Sequence, residues 1–284
     1  DALDPGKICE KLSAYFSLPI VPGETLLFFD EIQSCPQALS ALRFFYEKQP
    51  DLHVVATGSL LEFALEEVPS HGVGRIRSLF MYPMNFTEFL WAIGADPLVT
   101  VIQNASFSHP LDEAFHRQLI DHVKTFQLIG GMPEVVKSYA EHRDLLRCQT
   151  VLDDLIILFK DDFAKYKKRS PVLRLQEVFR TIAFCAGQKF KYRRVDSQVA
   201  PAGIKTALGL LLQAGLAYKI YHSTARGIPL GAQIDPGKFK VILFDSGIQQ
   251  RVLGLDLSAY VANHSFDAVN KGNLAEVLTG LAIL

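Results

Sequence analysis

An apolar run that ends in two carboxylates constrains the fold of this chain more than any other feature. Residues 26–29 are Leu-Leu-Phe-Phe, and Asp30 and Glu31 follow them directly. An uninterrupted apolar run of this length predicts a strand buried on both faces of a parallel sheet. Open α/β sheets bind their ligands at the carboxyl ends of the strands. We therefore expect Asp30 and Glu31 to lie at a ligand-binding edge.

A helix and a second strand are predicted directly after this run. In residues 36–49 the apolar side chains fall on one helical face. Residues 52–59 form a second apolar run, which ends in small polar residues. A strand, a helix and a strand in this order predict a parallel pair joined by a right-handed crossover. Thr57 and Ser59 would then lie beside the carboxylates, where a polar side chain can sense a phosphate.

The acidic pair has the order of the Walker B motif of P-loop ATPases, in which the Asp holds Mg²⁺ and the Glu polarises the attacking water. The structural alternative is an acidic pair stabilised by a helix dipole. Arg75, in a basic turn, either reaches a phosphate as an arginine finger or forms a surface salt bridge. No G-x-x-x-x-G-K-S/T phosphate loop occurs in the 284 residues.

Composition limits the class of protein. The chain is 49% hydrophobic and 21% charged, which is typical of soluble globular proteins. No apolar run reaches the ~18 to 20 residues that span a bilayer. The four cysteines lie far apart without a C-x-x-C pair, and the eight histidines show no metal-ligand spacing. We expect a cytoplasmic protein with reduced thiols, no membrane contact and no structural zinc.

Charge is distributed unevenly along the chain. Residues 1–100 hold 13 acidic and 6 basic residues, whereas residues 160–205 hold 4 acidic and 12 basic residues. Such a division suggests modules with different partners, although a solvated helical face is the better explanation of a charge run taken alone.

The region after residue 170 has the order of a winged helix-turn-helix. It predicts a helix at 171–187, a short strand at 190–195, a helix at 203–214, and two strands, the second at 239–245. The second helix is rich in Leu, so it resembles a core helix more than a recognition helix. DNA contact would then be made to phosphates, with protein contact as the alternative. The candidate DNA-binding residues are Lys189, Lys191, Arg193, Arg194 and Lys205.

A family resemblance covers nearly the whole chain. The sequence contains, in order, LLFFDEIQ, VVATGS, GRI, MYPMNFTEF and GGMPEVV, followed by KDDFAKYKKR, FKYRRV, LLLQAGLAYKIY, IPLGA and FKVILFDSGIQQRVLG. This combination resembles the AAA-type ATPases of bacteria and archaea that carry a C-terminal domain of unknown function. Those proteins are distantly similar to the STAND signalling ATPases.

The resemblance implies ATP and Mg²⁺ as cofactors and gives roles to particular residues. Gly131 and Pro133 match the Gly-x-Pro turn that packs near the adenine in the STAND relatives. The other matched positions are Asp30 for Mg²⁺, Glu31 for the water, Thr57 or Ser59 for the phosphate sensor, and Arg75 for the arginine finger.

The predicted fold class is α/β: a partial P-loop NTPase parallel sheet, then a helical lid and a winged-helix-like α+β domain. Family members have a strand and a phosphate loop before the acidic pair, and a nuclease-like region that continues past the end of this sequence. We therefore expect a fragment that binds ATP poorly and does not hydrolyse it alone. The predicted domains are the ATPase core at 1–95, the lid at 96–168, the winged-helix-like domain at 169–250 and the start of the nuclease-like domain at 251–284.

The expected partners are a nucleotide and either DNA or a protein. A homo-oligomer is required if Arg75 acts in trans, but this residue can equally act in cis. The competing hypothesis is a non-enzymatic DNA- or protein-binding adaptor on a degenerate ATPase scaffold.

Overall fold

The computed structural model describes residues 3–58, 74–167, 169–195, 199–263 and 271–283. Ser59, one of the two predicted phosphate sensors, lies outside the described residues. The chain divides into two compact units, Asp1–Met81 and Tyr82–Leu284. The finer division into four domains stays a prediction.

The first unit contains the predicted strand, helix and strand. Its elements are α1 (Pro5–Phe16), β1 (Leu26–Phe29), a 3₁₀ turn (Ile32–Ser34), α2 (Pro36–Lys48) and β2 (His53–Ala56). The two strands pair in parallel, with Leu26 opposite His53 and Phe29 opposite Ala56. The predicted parallel pair is therefore confirmed.

The prediction that β1 is buried on both faces is wrong. Leu27 is 9% exposed and packs against Ala41 and Phe45 of α2, but Leu26 is 58% exposed and Phe28 is 56% exposed. Successive side chains of a strand point to opposite faces of the sheet. In the described part of the first unit, helices cover the face that carries Leu27 and leave the face that carries Phe28 exposed. An apolar run shows that a strand is hydrophobic, but it does not show whether other elements cover one face of the strand or both.

The second unit is mainly helical, with one antiparallel ribbon. Its helices are α3 (Phe86–Ala92), α4 (Asp96–Asn104), α5 (Glu113–Ile129), α6 (Pro133–His142), α7 (Leu145–Asp162), α8 (Val172–Cys185), α9 (Pro201–Gln213), α10 (Ser246–Val252), α11 (Leu257–Asn263) and α12 (Lys271–Ile283). The ribbon consists of β3 (Ala217–Ser223) and β4 (Ile234–Leu243), with a bulge between Tyr221 and His222. Among the described residues, no helix is both long enough and apolar enough to cross a membrane.

A capping box begins helix α3. The Asn85 side chain accepts a hydrogen bond from the Glu88 backbone nitrogen at 3.0 Å, and the Glu88 carboxylate accepts one from the Asn85 nitrogen at 2.8 Å. This exchange satisfies two helix N-terminal donors at once. Next to the cap, Phe89 is fully buried and packs against the rings of Phe126 and Tyr139.

The predicted strand at 190–195 is wrong. Lys189 alone forms a bridge, with Lys240 of β4, and Tyr192–Arg194 form a 3₁₀ turn. The rings of Phe190 and Tyr192 both pack against Phe239, so this segment folds over the ribbon instead of extending along it. The predicted helices on either side are confirmed as α8 and α9, and the two following strands as β3 and β4. The winged-helix interpretation stays a proposal.

Candidate functional site

Backbone hydrogen bonds join the carboxyl ends of the two parallel strands. The Thr57 nitrogen donates to the Phe29 carbonyl at 2.8 Å, and the Ile32 nitrogen donates to the Thr57 carbonyl at 3.0 Å. These bonds continue the pairing of β1 and β2 beyond the strands themselves. They place Thr57 directly beside the residues that leave β1.

The Asp30 carboxylate lies at this edge of the sheet and contacts Thr57. Its Oδ1 accepts a 2.8 Å hydrogen bond from Thr57 Oγ1 and a 3.0 Å bond from the Glu31 nitrogen. The structure therefore brings together three of the residues that the sequence assigned to the nucleotide site. Their roles stay predictions.

Glu31 turns the chain as it leaves the strand. Its φ of 49° lies in the left-handed region, which is costly for a residue other than glycine and is often found at functional sites. The 3₁₀ turn at 32–34 begins directly after it. Its Oε2 accepts a 2.6 Å hydrogen bond from Gln33 Nε2. The Glu31 carboxylate thus has a hydrogen-bond donor within the turn that it begins.

The oxygen atoms at this edge fit a magnesium ion. Mg²⁺ is usually held by one or two carboxylates together with water and substrate phosphates. Asp30 supplies a carboxylate and Thr57 a hydroxyl. In the described part of the chain, no group of three His, Cys, Asp or Glu residues could hold a metal ion alone. A bound Mg²⁺ would therefore take its remaining ligands from phosphates and water.

The predicted arginine finger lies at the other end of helix α2. Arg75 Nε contacts Glu47 Oε1 at 2.7 Å, and Arg43 contacts the same oxygen at 2.9 Å. The hydrogen bond from Arg43, with the charges of both guanidinium groups, lowers the pKa of Glu47. Glu47 lies about 16 Å along the helix axis from Pro36, because an α-helix rises 1.5 Å per residue. The finger role of Arg75 stays a prediction.

The Gly130–Gly131 turn of the second unit is built around a buried carboxylate. The Gly131 nitrogen donates to Asp245 Oδ2 at 2.7 Å. A Cβ atom on Gly130 would lie 2.2 Å from Asp245 Oδ1, and one on Gly131 would lie 2.0 Å from the Met84 carbonyl oxygen. Both positions therefore require glycine. Pro133, the other predicted adenine-turn residue, begins helix α6.

Asp245 is the residue of this turn that sequence reasoning missed. It is 2% exposed and also caps helix α10 by accepting a 2.8 Å bond from the Ile248 nitrogen. Burial raises its pKa to about 6, against the opposing effect of backbone hydrogen bonds from Ile248, Gly131 and Gly247. An Asp after a strand and before a helix is a recognisable cap signal. Nothing in that signal identifies a partner 114 residues away.

The candidate DNA-binding residues lie in the segment around the 3₁₀ turn at 192–194 and on helix α9. Lys189 lines a groove on the ribbon. Lys191, Arg193 and Arg194 follow it and are exposed, with Arg194 bonded to the Gln188 side chain at 2.7 Å. Lys205 lies on an exposed position of α9.

Comparisons with known proteins agree with the geometry of the first unit. The family described as an AAA domain matches residues 3–90. A domain of unknown function (DUF8612) matches residues 120–259. No curated protein sequence matches the chain.

A solved structure of a Walker-type ATPase from Pyrococcus abyssi is similar to this fold. The TM-score is 0.52 at 16% identity, and the alignment covers 87% of this chain and 67% of the other. At this identity the likeness shows the fold alone. The AAA-domain match is confined to residues 3–90, which hold the parallel strand pair.

Proposed function

We propose that this protein is an ATP-binding and ATP-hydrolysing switch of AAA or STAND type. The observation that carries the proposal is the contact between Asp30 and Thr57 at the carboxyl edge of a parallel strand pair. The contact lies within the segment that matches the AAA domain. The Walker B interpretation accounts for this placement, because that motif follows a strand of the nucleotide-binding sheet.

In this proposal the chain's own residues position the reactants. Asp30 holds Mg²⁺ with Thr57 beside it, and the Glu31 carboxylate orients the attacking water. Bound Mg²⁺ would supply the positive charge that neutralises the phosphates. The remaining proposed roles are phosphate sensing by Thr57 or Ser59, charge stabilisation by Arg75 and adenine contact by Gly131 and Pro133.

The test is ATP turnover by the protein expressed from its complete gene, with and without Mg²⁺. We expect Glu31→Gln to abolish turnover and to leave ATP binding, measured by calorimetry, largely intact. The matched control is Glu24→Gln, which neutralises an exposed carboxylate that precedes β1 and so lies at the opposite end of the strand from Glu31. Unchanged turnover in Glu31→Gln would refute the role of Glu31, and Mg²⁺-independent turnover would refute the role of Asp30.

The second candidate function is a DNA- or protein-binding adaptor on a degenerate ATPase scaffold. The basic stretch at 160–205 favours it. The proposed lid (96–168), winged-helix-like domain (169–250) and start of a nuclease-like domain (251–284) would then serve partner binding alone. Absence of ATP binding by the protein from the complete gene would favour the adaptor.

A further inference from the structure

A groove of about 460 Å³ lies on the β3–β4 ribbon of the second unit. Three lysines and a histidine line it, together with aromatic and aliphatic side chains. The lining residues are Lys189, Ile220, Tyr221, His222, Ser223, Lys238, Phe239 and Lys240. The groove therefore combines positive charge with an apolar wall.

The register of the ribbon explains how these side chains meet. Phe239 pairs with Tyr221 across the two strands, and the bulge follows directly after Tyr221. The bridge between Lys189 and Lys240 adds the segment before the 3₁₀ turn to the edge of β4. Two lysines from distant parts of the sequence thus lie beside the same aromatic pair.

Tyr221 is the exposed member of a packed aromatic cluster. Its ring is 6.3 Å from that of Phe239, which in turn packs against Phe190 at 6.0 Å. Phe239 and Phe190 are 7% and 3% exposed, whereas Tyr221 is 41% exposed. The Lys219 ammonium lies 4.6 Å from the centre of the Tyr221 ring. The neighbours therefore hold a ring against which a flat ligand can stack.

The segments that form this surface are strongly basic. Residues 189–194, 217–223 and 234–243 contain seven Lys or Arg residues and one acidic residue, Asp235. Asp235 pairs with Lys238 at 3.2 Å, and Glu276 of α12 contacts Lys240. Positive charge remains in excess after both pairs are counted. An anionic ligand is therefore favoured at this surface.

Duplex recognition through helix α9 has little support. Ile204, Leu208 and Leu211 are buried, so one face of this helix belongs to the core. On its exposed side, the Thr206 hydroxyl is bonded to the Ala202 carbonyl within the helix. Lys205 is the charged side chain of α9, and it is exposed.

We propose that the groove on the β3–β4 ribbon binds single-stranded nucleic acid, with Tyr221 stacking on a base and Lys189 and Lys238 contacting phosphates. Single strands expose base faces that duplexes keep stacked, and proteins bind them through aromatic platforms in basic grooves. The proposal deepens the partner-binding part of the proposed function. It does not depend on ATP binding or hydrolysis.

The first test is fluorescence anisotropy of labelled 15-nucleotide dT and rU strands mixed with the 284-residue chain, without nucleotide, between 50 and 200 mM salt. We expect binding that weakens with salt. Lys189→Ala/Lys238→Ala should weaken it at least about tenfold and reduce the slope of log K against log salt by about 1.4, at ~0.7 per phosphate contact. The control is Lys137→Ala, which removes an exposed lysine of α6 and should bind like the wild type. Because ATP is absent, failure here leaves the ATPase proposal untouched.

The second test isolates stacking from charge. Tyr221→Ala should weaken binding about tenfold with an unchanged salt slope, and Tyr221→Phe should bind like the wild type, because stacking needs only the ring. Circular dichroism checks that each variant is folded. Three outcomes would overturn the proposal: no binding at 50 mM salt, equal affinity of the wild type and the double lysine variant, or a duplex preference that Lys205→Ala abolishes.

Discussion

The backbone nitrogen of Gly131 donates a 2.7 Å hydrogen bond to the buried carboxylate of Asp245, 114 residues further along the chain. The same carboxylate caps helix α10 through the Ile248 nitrogen. From the other side, the Met84 nitrogen donates to the Gly131 carbonyl at 2.7 Å. The turn that resembles an adenine-binding turn is thus fixed by two other segments of the second unit.

Replacing Gly130 should be far more costly than replacing another glycine with the same φ. Gly130 and Gly94 both have φ of +74°, but a Cβ on Gly130 would meet the Asp245 carboxylate at 2.2 Å, and one on Gly94 meets nothing within 4 Å. We expect Gly94→Ala to lower the free energy of unfolding by about 1 kcal/mol, and Gly130→Ala by about 3 kcal/mol or more. Urea unfolding followed by circular dichroism measures both. If the two variants lose the same free energy of unfolding, the Asp245 side chain moves aside at little cost and the prediction is wrong.

The Asp245 carboxylate should make stability depend on pH in one direction. Its pKa is raised to about 6 in the folded protein, so the folded state binds the proton more tightly than the unfolded state. Its contribution to the free energy of unfolding is therefore complete below pH ~4 and is lost as the pH rises through 6, by about 3 kcal/mol.

The difference in stability between the wild type and Asp245→Asn isolates this effect, because other groups titrate alike in both proteins. Urea unfolding at several pH values should show the wild type losing stability relative to the variant between pH 4 and 6.5. A difference that is flat or that rises with pH would contradict the raised pKa.

An ion pair between Arg251 and Asp153 should link helix α10 to helix α7. Two guanidinium nitrogens of Arg251 contact the two carboxylate oxygens of Asp153, at 2.5 and 3.0 Å, and a third donates to the Leu255 carbonyl. We expect Arg251→Lys to cost about 1 kcal/mol, since a lysine cannot reproduce a bidentate contact. The control is Arg147→Lys, whose exposed contact with Asp144 is 3.7 Å long. In thermal unfolding, we expect Arg251→Lys to have a lower midpoint than the wild type and Arg147→Lys to have an unchanged midpoint.

The cysteines should differ sharply in their reaction with a thiol reagent. Cys35 is exposed, whereas Cys148 and Cys185 are buried. Burial raises the pKa of Cys148 to about 11, which leaves almost no thiolate at neutral pH. We expect Cys35 to react within seconds to minutes, and the two buried thiols only after urea is added. Labelling followed by mass spectrometry identifies each site, and rapid modification of Cys148 would contradict its burial.

The parts of the fold that follow from short-range pattern were predictable from the sequence. The alternation of strand, helix and strand fixed the parallel pairing, and that pairing brought Thr57 to Asp30. The exposure of Leu26 and Phe28 was not predictable, because a hydrophobic run cannot show whether helices cover one face or both. The 3₁₀ turn at 192–194 was also missed, because the ring contacts of Tyr192 with Phe239 override a local strand pattern.

The Gly130–Gly131 turn shows a different limit. The family resemblance gave Gly131 and Pro133 a place in a turn and a role there. Its acceptor, Asp245, carries only the signal of a helix cap. Asp245 caps helix α10 and also binds the distant turn, but its local sequence pattern indicates only the cap. Only the folded chain reveals the second.

The distance along the chain between Gly131 and Asp245 bears on how this protein can be divided. A hybrid protein joined near residue 168, where the lid is predicted to end, would inherit the turn without its acceptor. In that hybrid, the buried Gly131 nitrogen would lack its hydrogen-bond acceptor. The other fragment would carry the buried Asp245 carboxylate without the hydrogen bond from the Gly131 nitrogen. A hybrid protein should therefore contain either all of the stretch from Met84 to Ile248 or none of it.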